Sequence, residues 1–152
     1  MRIDLGEDPL ALDRQVCFAL SVASRSVIAI YRPLLKPYGL THPQYLVLLA
    51  LWDSAPRTVR DLSDVLRAEP ATLSPLLKRL ETLGYVSRGR GRTDERTLTV
   101  DLTEKGRALR VEAEKIPYRV VETLGMEVSE LEQLHAVLGK VIAATDRAGV
   151  RS

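Results

Sequence analysis

The chain has 152 residues, of which 45% are hydrophobic and 28% are charged, and its formal net charge is +2. This composition is typical of a folded globular protein, and the length predicts a single domain, 1–152, with a core of its own. The net charge is too small to indicate a nucleic-acid partner, so any such partner has to be inferred from where the charges lie.

No membrane partner is expected, because the longest uninterrupted apolar run, Tyr45 to Trp52, is much shorter than the roughly 20 residues of a membrane helix. Residues 1–8 are mixed and acidic and lack the apolar segment of a signal peptide. The single cysteine, Cys17, excludes an internal disulfide and fits a reducing cytoplasm. His42 and His135 lack metal-ligand spacing, so neither a metal nor a cofactor is predicted.

The first predicted helix runs from about Asp8 to Tyr31, where apolar and small residues recur at steps of three and four. One stripe contains Val16, Leu20, Ala23, Val27 and Ile30, and the stripe beside it contains Cys17, Ser21, Ser24, Ile28 and Tyr31. Pro33, Pro37 and Gly39 are expected to end this helix.

The second predicted helix has several start signals that agree. Thr41 can act as its N-cap, Gln44 completes a capping box, and Leu40 can pack onto Tyr45 as a hydrophobic staple. The helix reaches about Asp53 and is apolar on most sides, which predicts a central, buried position.

A short helix follows Pro56. The segment Thr58-Val59-Arg60-Asp61 has a second capping-box pattern, which predicts the start of this helix. Its inward residues are expected to be Val59, Leu62, Val65 and Leu66.

The next helix is predicted to begin between Pro70 and Thr72 and to end at Leu83. Gly84 is suited to the position after the helix end, where the backbone often turns left-handed. Pro75 is compatible with this helix only near its first turn, where the missing amide would have no partner anyway.

A β-hairpin and a further helix come after it. The β-rich runs 85–88 and 96–100, joined by a polar link with glycines, predict the hairpin. Thr103 is expected to cap a helix that reaches about Thr123, and Pro117 is expected to bend or split it.

The last predicted helix opens with a third capping box, formed by Ser129 and Glu132. Its shared apolar face consists of Leu131, Leu134, Leu138, Val141 and Ile142. The heptad-like spacing of this face predicts a homodimer interface. The chain as a whole is predicted to be mainly α, with one small hairpin.

Two short helices followed by a basic hairpin are the order of a winged helix-turn-helix, in which the second helix enters the major groove. The helix residues suited to phosphates and base edges are Thr72, Ser74, Lys78 and Arg79. The hairpin arginines, whose charge suits a narrow minor groove, are Arg88, Arg90, Arg92 and Arg96. A basic hairpin alone can be a solvated surface, and the preceding helix pair is what favours double-stranded DNA as the partner.

Several segments resemble known regulators. The segment from Thr72 to Arg79, the run Leu83-Gly84-Tyr85-Val86 and the triplet Asp94-Glu95-Arg96 resemble the multiple-antibiotic-resistance-regulator (MarR) family of bacterial repressors. The runs Cys17-Phe18-Ala19-Leu20, Tyr31-Arg32-Pro33-Leu34-Leu35 and Thr41-His42-Pro43-Gln44-Tyr45-Leu46 resemble its organic-hydroperoxide-sensing (OhrR) branch, in the one-cysteine type. The resemblance covers nearly the whole chain.

The resemblance implies a mainly α winged helix-turn-helix protein with N- and C-terminal dimerisation helices. The dimerisation helices would occupy about 1–35 and 103–152, and the DNA-binding lobe about 41–102. The family members act as homodimers on pseudo-palindromic operators. By the same resemblance, Asp94 would orient Arg96, and Arg96 would reach the minor groove at the tip of the wing.

The spacing of Cys17 and Tyr31 constrains how a thiol sensor can be built. The thiolate is the form that attacks a peroxide, and tyrosine hydroxyls can donate hydrogen bonds to it. The two residues are fourteen positions apart on one helical face, which is roughly 21 Å along an unbroken helix. Tyr31 can therefore serve Cys17 only from the other subunit.

In the OhrR branch the reactive cysteine receives two tyrosines from the partner chain. One matches Tyr31, and the other matches position 42, where this chain has His42. A neutral imidazole can donate one hydrogen bond as a tyrosine does, and a protonated imidazole would stabilise a thiolate more strongly. This substitution can also make the response of the thiol more dependent on pH.

The sequence thus predicts a repressor that senses organic hydroperoxides by oxidation of Cys17 and then releases its operator. Without a second cysteine, oxidised Cys17 would need a low-molecular-weight thiol, a backbone sulfenamide or over-oxidation. An alternative is a repressor released by a small aromatic ligand in an interface pocket, with Cys17 structural. A thiol peroxidase is disfavoured because no base or resolving thiol lies near Cys17, so no enzyme is predicted. A helical interaction protein without DNA affinity is a further alternative.

Overall fold

The computed structural model describes residues 3–4, 6–90 and 97–150. Its helices are α1 (Val16–Leu35), α2 (His42–Asp53), α3 (Val59–Leu66), α4 (Pro70–Thr82), α5 (Glu104–Ala113), α6 (Ile116–Leu124) and α7 (Val128–Arg147). Its strands are β1 (Arg57–Thr58), β2 (Val86–Arg90) and β3 (Leu98–Leu102). Short 3-10 helices at Leu12–Arg14 and Lys36–Tyr38 flank α1. The mainly α winged helix-turn-helix predicted from the sequence is confirmed.

Helix α1 begins at Val16, so the predicted start at Asp8 is wrong. The Asp8 carboxylate accepts a hydrogen bond from the Leu10 amide at 3.0 Å, and such local turns compete with helix formation. The helix also continues past Tyr31 to Leu35. Pro33 lies in its last turn, where it removes only one helical hydrogen bond.

Helix α2 is the centre of the core. Its start follows the predicted capping box, because the Gln44 side-chain oxygen accepts a hydrogen bond from the Thr41 amide at 3.0 Å. The buried residues of α2 are Gln44, Tyr45, Val47, Leu48, Ala50 and Leu51. Leucines from α3 and α4 pack against the same core, which makes the segment from α2 to β3, here called the winged lobe, a packed unit.

The wing is a three-stranded antiparallel sheet in the order β1-β3-β2. The hairpin of β2 and β3 matches the prediction, whereas the two-residue strand β1 carries too short a pattern to be found in the sequence. Arg57 in β1 lies between two carboxylates, those of Asp53 and Asp61, each at 3.1 Å. It also donates to the Ala50 carbonyl at 3.0 Å. This arginine therefore ties the end of α2 to the start of α3.

The helix-turn-helix pair α3 and α4 departs from the prediction at two positions. Leu62 is fully buried, but Val65 is 51% exposed, because an eight-residue helix turns only a narrow face toward the core. Pro75 lies in the second turn of α4, although the sequence indicates that it is compatible with the helix only near the first turn. Its missing amide leaves only the carbonyl of the exposed Ala71 without a helical partner.

The C-terminal region contains three helices. Pro117 falls in the first turn of α6, so the predicted split after α5 is confirmed. The predicted cap of α7 is wrong by two residues, because Glu127 is the N-cap and its amide donates to the Glu130 carboxylate at 3.0 Å. The cap comes early because Gly125, with φ of 63°, ends α6 only two residues before.

Two helices leave apolar side chains uncovered in the single chain. Helix α7 has no buried residue among its twenty, and α1 has only Leu35. The α7 residues Leu134 and Ile142 are 49% and 47% exposed. By length and composition the segment Val16–Tyr38 could cross a membrane, although an apolar helix that packs against another protein chain has the same properties.

Candidate functional site

Three aromatic rings form a cluster where the second half of α1 meets the start of α2. The rings of Tyr31 and His42 lie edge to face, with centroids 4.9 Å apart. The Tyr45 ring lies 5.7 Å from Tyr31 and 6.3 Å from His42. The structure therefore brings two of the predicted sensor residues together. Tyr45 was missed as a member of the cluster, although its position one turn after His42 was the available signal.

Burial shifts the protonation of all three rings toward their neutral forms. Desolvation raises the pKa of Tyr31, and desolvation together with the charge of Tyr31 raises the pKa of Tyr45. Desolvation lowers the pKa of His42. At neutral pH the phenols carry their protons, and the imidazole is neutral with one N–H to donate.

Cys17 is separate from this cluster. It is exposed and lies in the first turn of α1, where the helix dipole favours a negative charge. Because α1 is unbroken from Val16 to Leu35, Cys17 and Tyr31 are roughly 21 Å apart along the helix. A single chain thus places the thiol at one end of α1 and the rings that could serve it at the other.

The predicted DNA-contacting residues of α4 share a solvent-facing surface. The helix buries Leu73, Leu77 and Leu80, which lie on one of its faces. Its exposed residues include Thr72, Ser74, Lys78 and Arg79. Two hydroxyls and two cations are therefore presented together, away from the core.

The structure describes only some of the arginines that are predicted to lie in the wing. Arg88 is held by Glu81 of α4, with N–O distances of 3.3 and 3.5 Å, and this hydrogen bond lowers the pKa of Glu81. Arg90 is the last residue of β2. The remaining predicted wing residues, Arg92, Asp94 and Arg96, lie outside the described residues.

Three aromatic residues that could bind an aromatic ligand, Trp52, Tyr38 and Tyr45, pack in or against the core. The Trp52 indole donates to the Gly106 carbonyl at 2.9 Å, which joins α2 to α5. The Tyr38 carbonyl accepts from the Tyr85 hydroxyl at 2.8 Å. Tyr45 is buried in the core cluster. Within ranges 3–4, 6–90 and 97–150 no group of three potential metal ligands comes together.

An open groove of about 510 Å³ runs along the junction of α1 and α2, next to the aromatic cluster. It is lined by Ile28, Arg32, Lys36, Gly39, Leu40, Thr41, His42 and Pro43. The groove combines apolar walls with two cationic side chains.

Comparisons with known proteins agree with this architecture. The family described as "Transcriptional regulator SarA/Rot" matches residues 29–112. The HTH-type transcriptional regulator TtmR of Methylorubrum extorquens (strain PA1) is 43% identical over 84% of this chain, which spans 66% of the length of TtmR. The organic hydroperoxide resistance transcriptional regulator of Bacillus subtilis (strain 168) is 37% identical, over 86% of this chain and 89% of its own length.

A solved structure of reduced AbfR bound to DNA superposes with a TM-score of 0.81 at 31% identity, over 95% of this chain and 99% of that chain. A winged helix-turn-helix with relatives of this kind defines a transcriptional regulator rather than an enzyme. The chain belongs to the MarR/SarA-type family of winged-helix transcriptional regulators.

Proposed function

We propose that the protein is a homodimeric, DNA-binding repressor that senses organic hydroperoxides through Cys17 and then releases its operator. The observation that carries this proposal is the layout of α1. Its exposed thiol lies in the first turn, and Tyr31, whose ring contacts His42 of α2, lies near the other end of the same unbroken helix. Two such helices packed antiparallel would place each thiol against the rings of the other subunit, and so complete two sensors.

The dimer itself is supported by the uncovered apolar faces of α1 and α7. Exposed apolar residues on these helices include Phe18, Leu20, Val22, Leu134, Val141 and Ile142. Contiguous apolar surface of this kind marks an interaction site in globular proteins. A second copy, which carries the same two faces, would bury both in a symmetric interface.

The sensing reaction would begin with the Cys17 thiolate. The sulfur attacks the terminal oxygen of a hydroperoxide, the O–O bond breaks, and the alkoxide takes a proton to leave as an alcohol. The cysteine is oxidised by two electrons to a sulfenic acid and the peroxide is reduced. A low-molecular-weight thiol then condenses with the sulfenic acid, which forms a mixed disulfide and water.

In the dimer, Tyr31 and His42 of the partner would stabilise the thiolate by donating hydrogen bonds. Both rings are held neutral by partial burial, since the pKa of Tyr31 is raised and the pKa of His42 is lowered. Each ring therefore has a proton to donate at neutral pH. His42 would replace a second phenol in this role.

The DNA contacts are assigned to α4 and the wing. Thr72 and Ser74 would contact phosphates and base edges, and Lys78 and Arg79 would neutralise phosphates from the same exposed surface. Arg88, Arg90, Arg92 and Arg96 would lie over the backbone and minor groove, with Asp94 orienting Arg96. The DNA-bound state of the structural neighbour AbfR supports this assignment. Operator DNA as the partner places the protein in the cytoplasm.

Release would follow from the size of the modified thiol. A mixed disulfide at Cys17 is too large for a packed α1–α1 interface and would expel Tyr31 of the partner. The dimer helices would then shift, and the two recognition helices would lose the one-turn separation of about 34 Å that successive major grooves require.

The deciding experiment measures binding to the DNA that flanks the protein's own gene, with and without cumene hydroperoxide and in the presence of a small thiol. The native chain should release the DNA, and Cys17→Ser should stay bound. A matched control, Cys17→Ser with Ser21→Cys, moves the thiol one turn along the same exposed stripe of α1. It should stay bound, because its thiol no longer faces the partner's rings.

Other outcomes would redirect the proposal. Release of both the native chain and Cys17→Ser by an aromatic acid would assign the signal to a ligand and leave Cys17 a structural role. Failure of every protein to bind any DNA fragment in a salt-dependent way would reject the repressor itself.

A further inference from the structure

We propose that the cationic groove between α1 and α2 is the docking site for the acidic N-terminal arm, residues 6–14, of a second copy of the chain. This inference rests on the proposed dimer, in which Cys17 meets the second copy's Tyr31. It adds an interface that no sensor residue requires, and it commits the groove to a segment of protein rather than to a small molecule.

The groove contains two cationic side chains. Arg32 and Lys36 line it from α1 and the turn that follows. Within the part of the chain that the structure describes, neither side chain forms an ion pair or a side-chain hydrogen bond. The lining also includes the apolar residues Ile28, Leu40 and Pro43. An occupant should therefore be acidic and partly apolar.

The arm has these properties. It carries Glu7, Asp8 and Asp13 against the single cation Arg14, a net charge of −2 for residues 6–14 (three acids and one base). Its apolar residues have no cover in the single chain, since Leu10 is 86% exposed and Leu12 is 62% exposed.

The arm is also held in shape before it binds. The Gln15 side-chain amide donates to the Pro9 carbonyl at 2.9 Å and to the Ala11 carbonyl at 3.2 Å. Residues Leu12–Arg14 form a 3-10 turn. A segment ordered in advance loses less conformational entropy on docking than a flexible tail does.

The register of the proposed dimer brings the arm to the groove. If Cys17 opposes position 31 in an antiparallel pair of α1 helices, opposed positions sum to 48. Val16, the first residue of α1, then opposes the second copy's Arg32. Asp13 precedes Val16 by three residues, a span of at most about 10 Å, so it lies near the level of that cation. The C-terminal end of the arm therefore lies close to the unpaired cations of the groove.

Docking would place the arm over the second copy's His42, which lines the same groove. The arm would then shield the ring from solvent while leaving Tyr31 to face the thiol. Each subunit would supply a thiol and an arm to its partner and receive both in return. The two-fold symmetry of the dimer would therefore produce two copies of the contact between arm and groove.

The test uses two charge-reversed versions of the full chain. One carries Arg32→Glu with Lys36→Glu in the groove, and the other carries Asp8→Lys with Asp13→Lys in the arm. In either homodimer the arm and the groove repel, so we expect the dimer dissociation constant measured by sedimentation to rise about tenfold, equivalent to about 1.4 kcal/mol. When the two versions are mixed, every arm meets a groove of opposite charge.

The mixture should therefore form mostly heterodimers, well above the one half expected from random pairing, and the chain with all four reversals should regain the native dissociation constant. Circular dichroism of each version checks that it is folded. Random pairing of folded versions with native dissociation constants would overturn the arm assignment. So would a reversed groove that alters the response to an anionic hydroperoxide without altering dimer pairing, because the groove would then hold a small molecule.

The failure of this inference is distinct from failure of the proposed function. A native chain that is dimeric, binds DNA and responds through Cys17, but whose reversed versions pair at random, disproves only the arm contact. A native chain that is monomeric at the concentrations of the DNA assay would disprove the dimeric repressor on which the contact rests.

Discussion

The winged lobe and helices α1 and α7 use apolar residues in opposite ways. In the lobe, leucines such as Leu48, Leu62 and Leu73 are fully buried within a single chain. Helix α7 has no buried residue, and α1 buries only its last one, Leu35. The lobe buries its leucines within one chain, whereas the exposed apolar residues of α1 and α7 have no cover in the described part of the single chain.

Polar groups follow the same division. Within the described residues no buried side-chain nitrogen or oxygen lacks a hydrogen-bond partner. In the lobe, the nearly buried Arg57 satisfies its charge with two carboxylates. Arg32 near the end of α1 and Lys36 in the turn after it are exposed, and neither forms an ion pair with the described residues. The winged lobe therefore pairs its least exposed charge within one chain, whereas the two cations at the end of α1 stay exposed.

The largest expected effect is a core truncation in the lobe. Leu48→Ala removes a fully buried side chain and should lower the free energy of unfolding by about 3 to 5 kcal/mol, at every protein concentration. The neighbouring change Leu49→Ala, at a residue 41% exposed, should cost far less. Urea denaturation measures both. Equal losses would mean that α2 is not central to the core.

A second change tests the apolar face of α7. Leu138→Asp with Ile142→Asp places two charges on the apolar face of α7, and should raise the dimer dissociation constant about 100-fold or more. The lobe should remain folded by circular dichroism. Val65→Asp, at a lobe residue 51% exposed, is the control and should leave sedimentation unchanged. A native dimer in the α7 variant would place the interface elsewhere.

The contact that links the two regions should have a smaller effect. Arg67, at the turn between α3 and α4, donates two hydrogen bonds to Asp146 near the end of α7, at 2.7 and 2.9 Å. Because the pair is about half exposed and solvent screens its charges, Arg67→Glu should change the free energy of unfolding little. We expect it to weaken operator binding several-fold, because the helix-turn-helix loses its tie to α7.

The charge-swapped chain, Arg67→Asp with Asp146→Arg, tests whether the tie itself matters. It should recover most of the operator affinity lost in Arg67→Glu, as measured by fluorescence anisotropy. Affinities that stay low in the swap, or that never fell in Arg67→Glu, would show that α7 does not position the recognition helix through this pair.

The smallest expected effect concerns pH. Burial lowers the pKa of His42 below its usual 6.5, so the unfolded chain takes up a proton more readily than the folded one. The stability associated with neutral His42 is complete above about pH 6.5 and is lost as the pH falls toward the folded pKa. Urea denaturation of the native chain should therefore lose more stability between pH 7.5 and 5.5 than that of His42→Gln. Identical losses would remove His42 as a titrating group in this range.

Local features were readable from the sequence because their partners lie within a few residues. Thr41 with Gln44, the Thr58 cap and the Thr103 cap were found at their positions, since each acts on an amide within three residues. The predicted helix starts were wrong where two local interactions compete and the sequence pattern does not show which is stronger. The turn at Asp8 prevents α1 from starting there, and Glu127 rather than Ser129 caps α7.

The sequence by itself determined the order of the elements, the apolar faces of α1 and α7, and the candidate thiol at Cys17, because periodicity and capping are properties of neighbouring residues. Only the tertiary structure decided that the Tyr31 ring contacts those of His42 and Tyr45, that β1 joins the wing, and that Arg67 binds Asp146, 79 positions away. These contacts form when the chain folds back on itself, and their energy comes from packing and charge between segments that no local pattern connects.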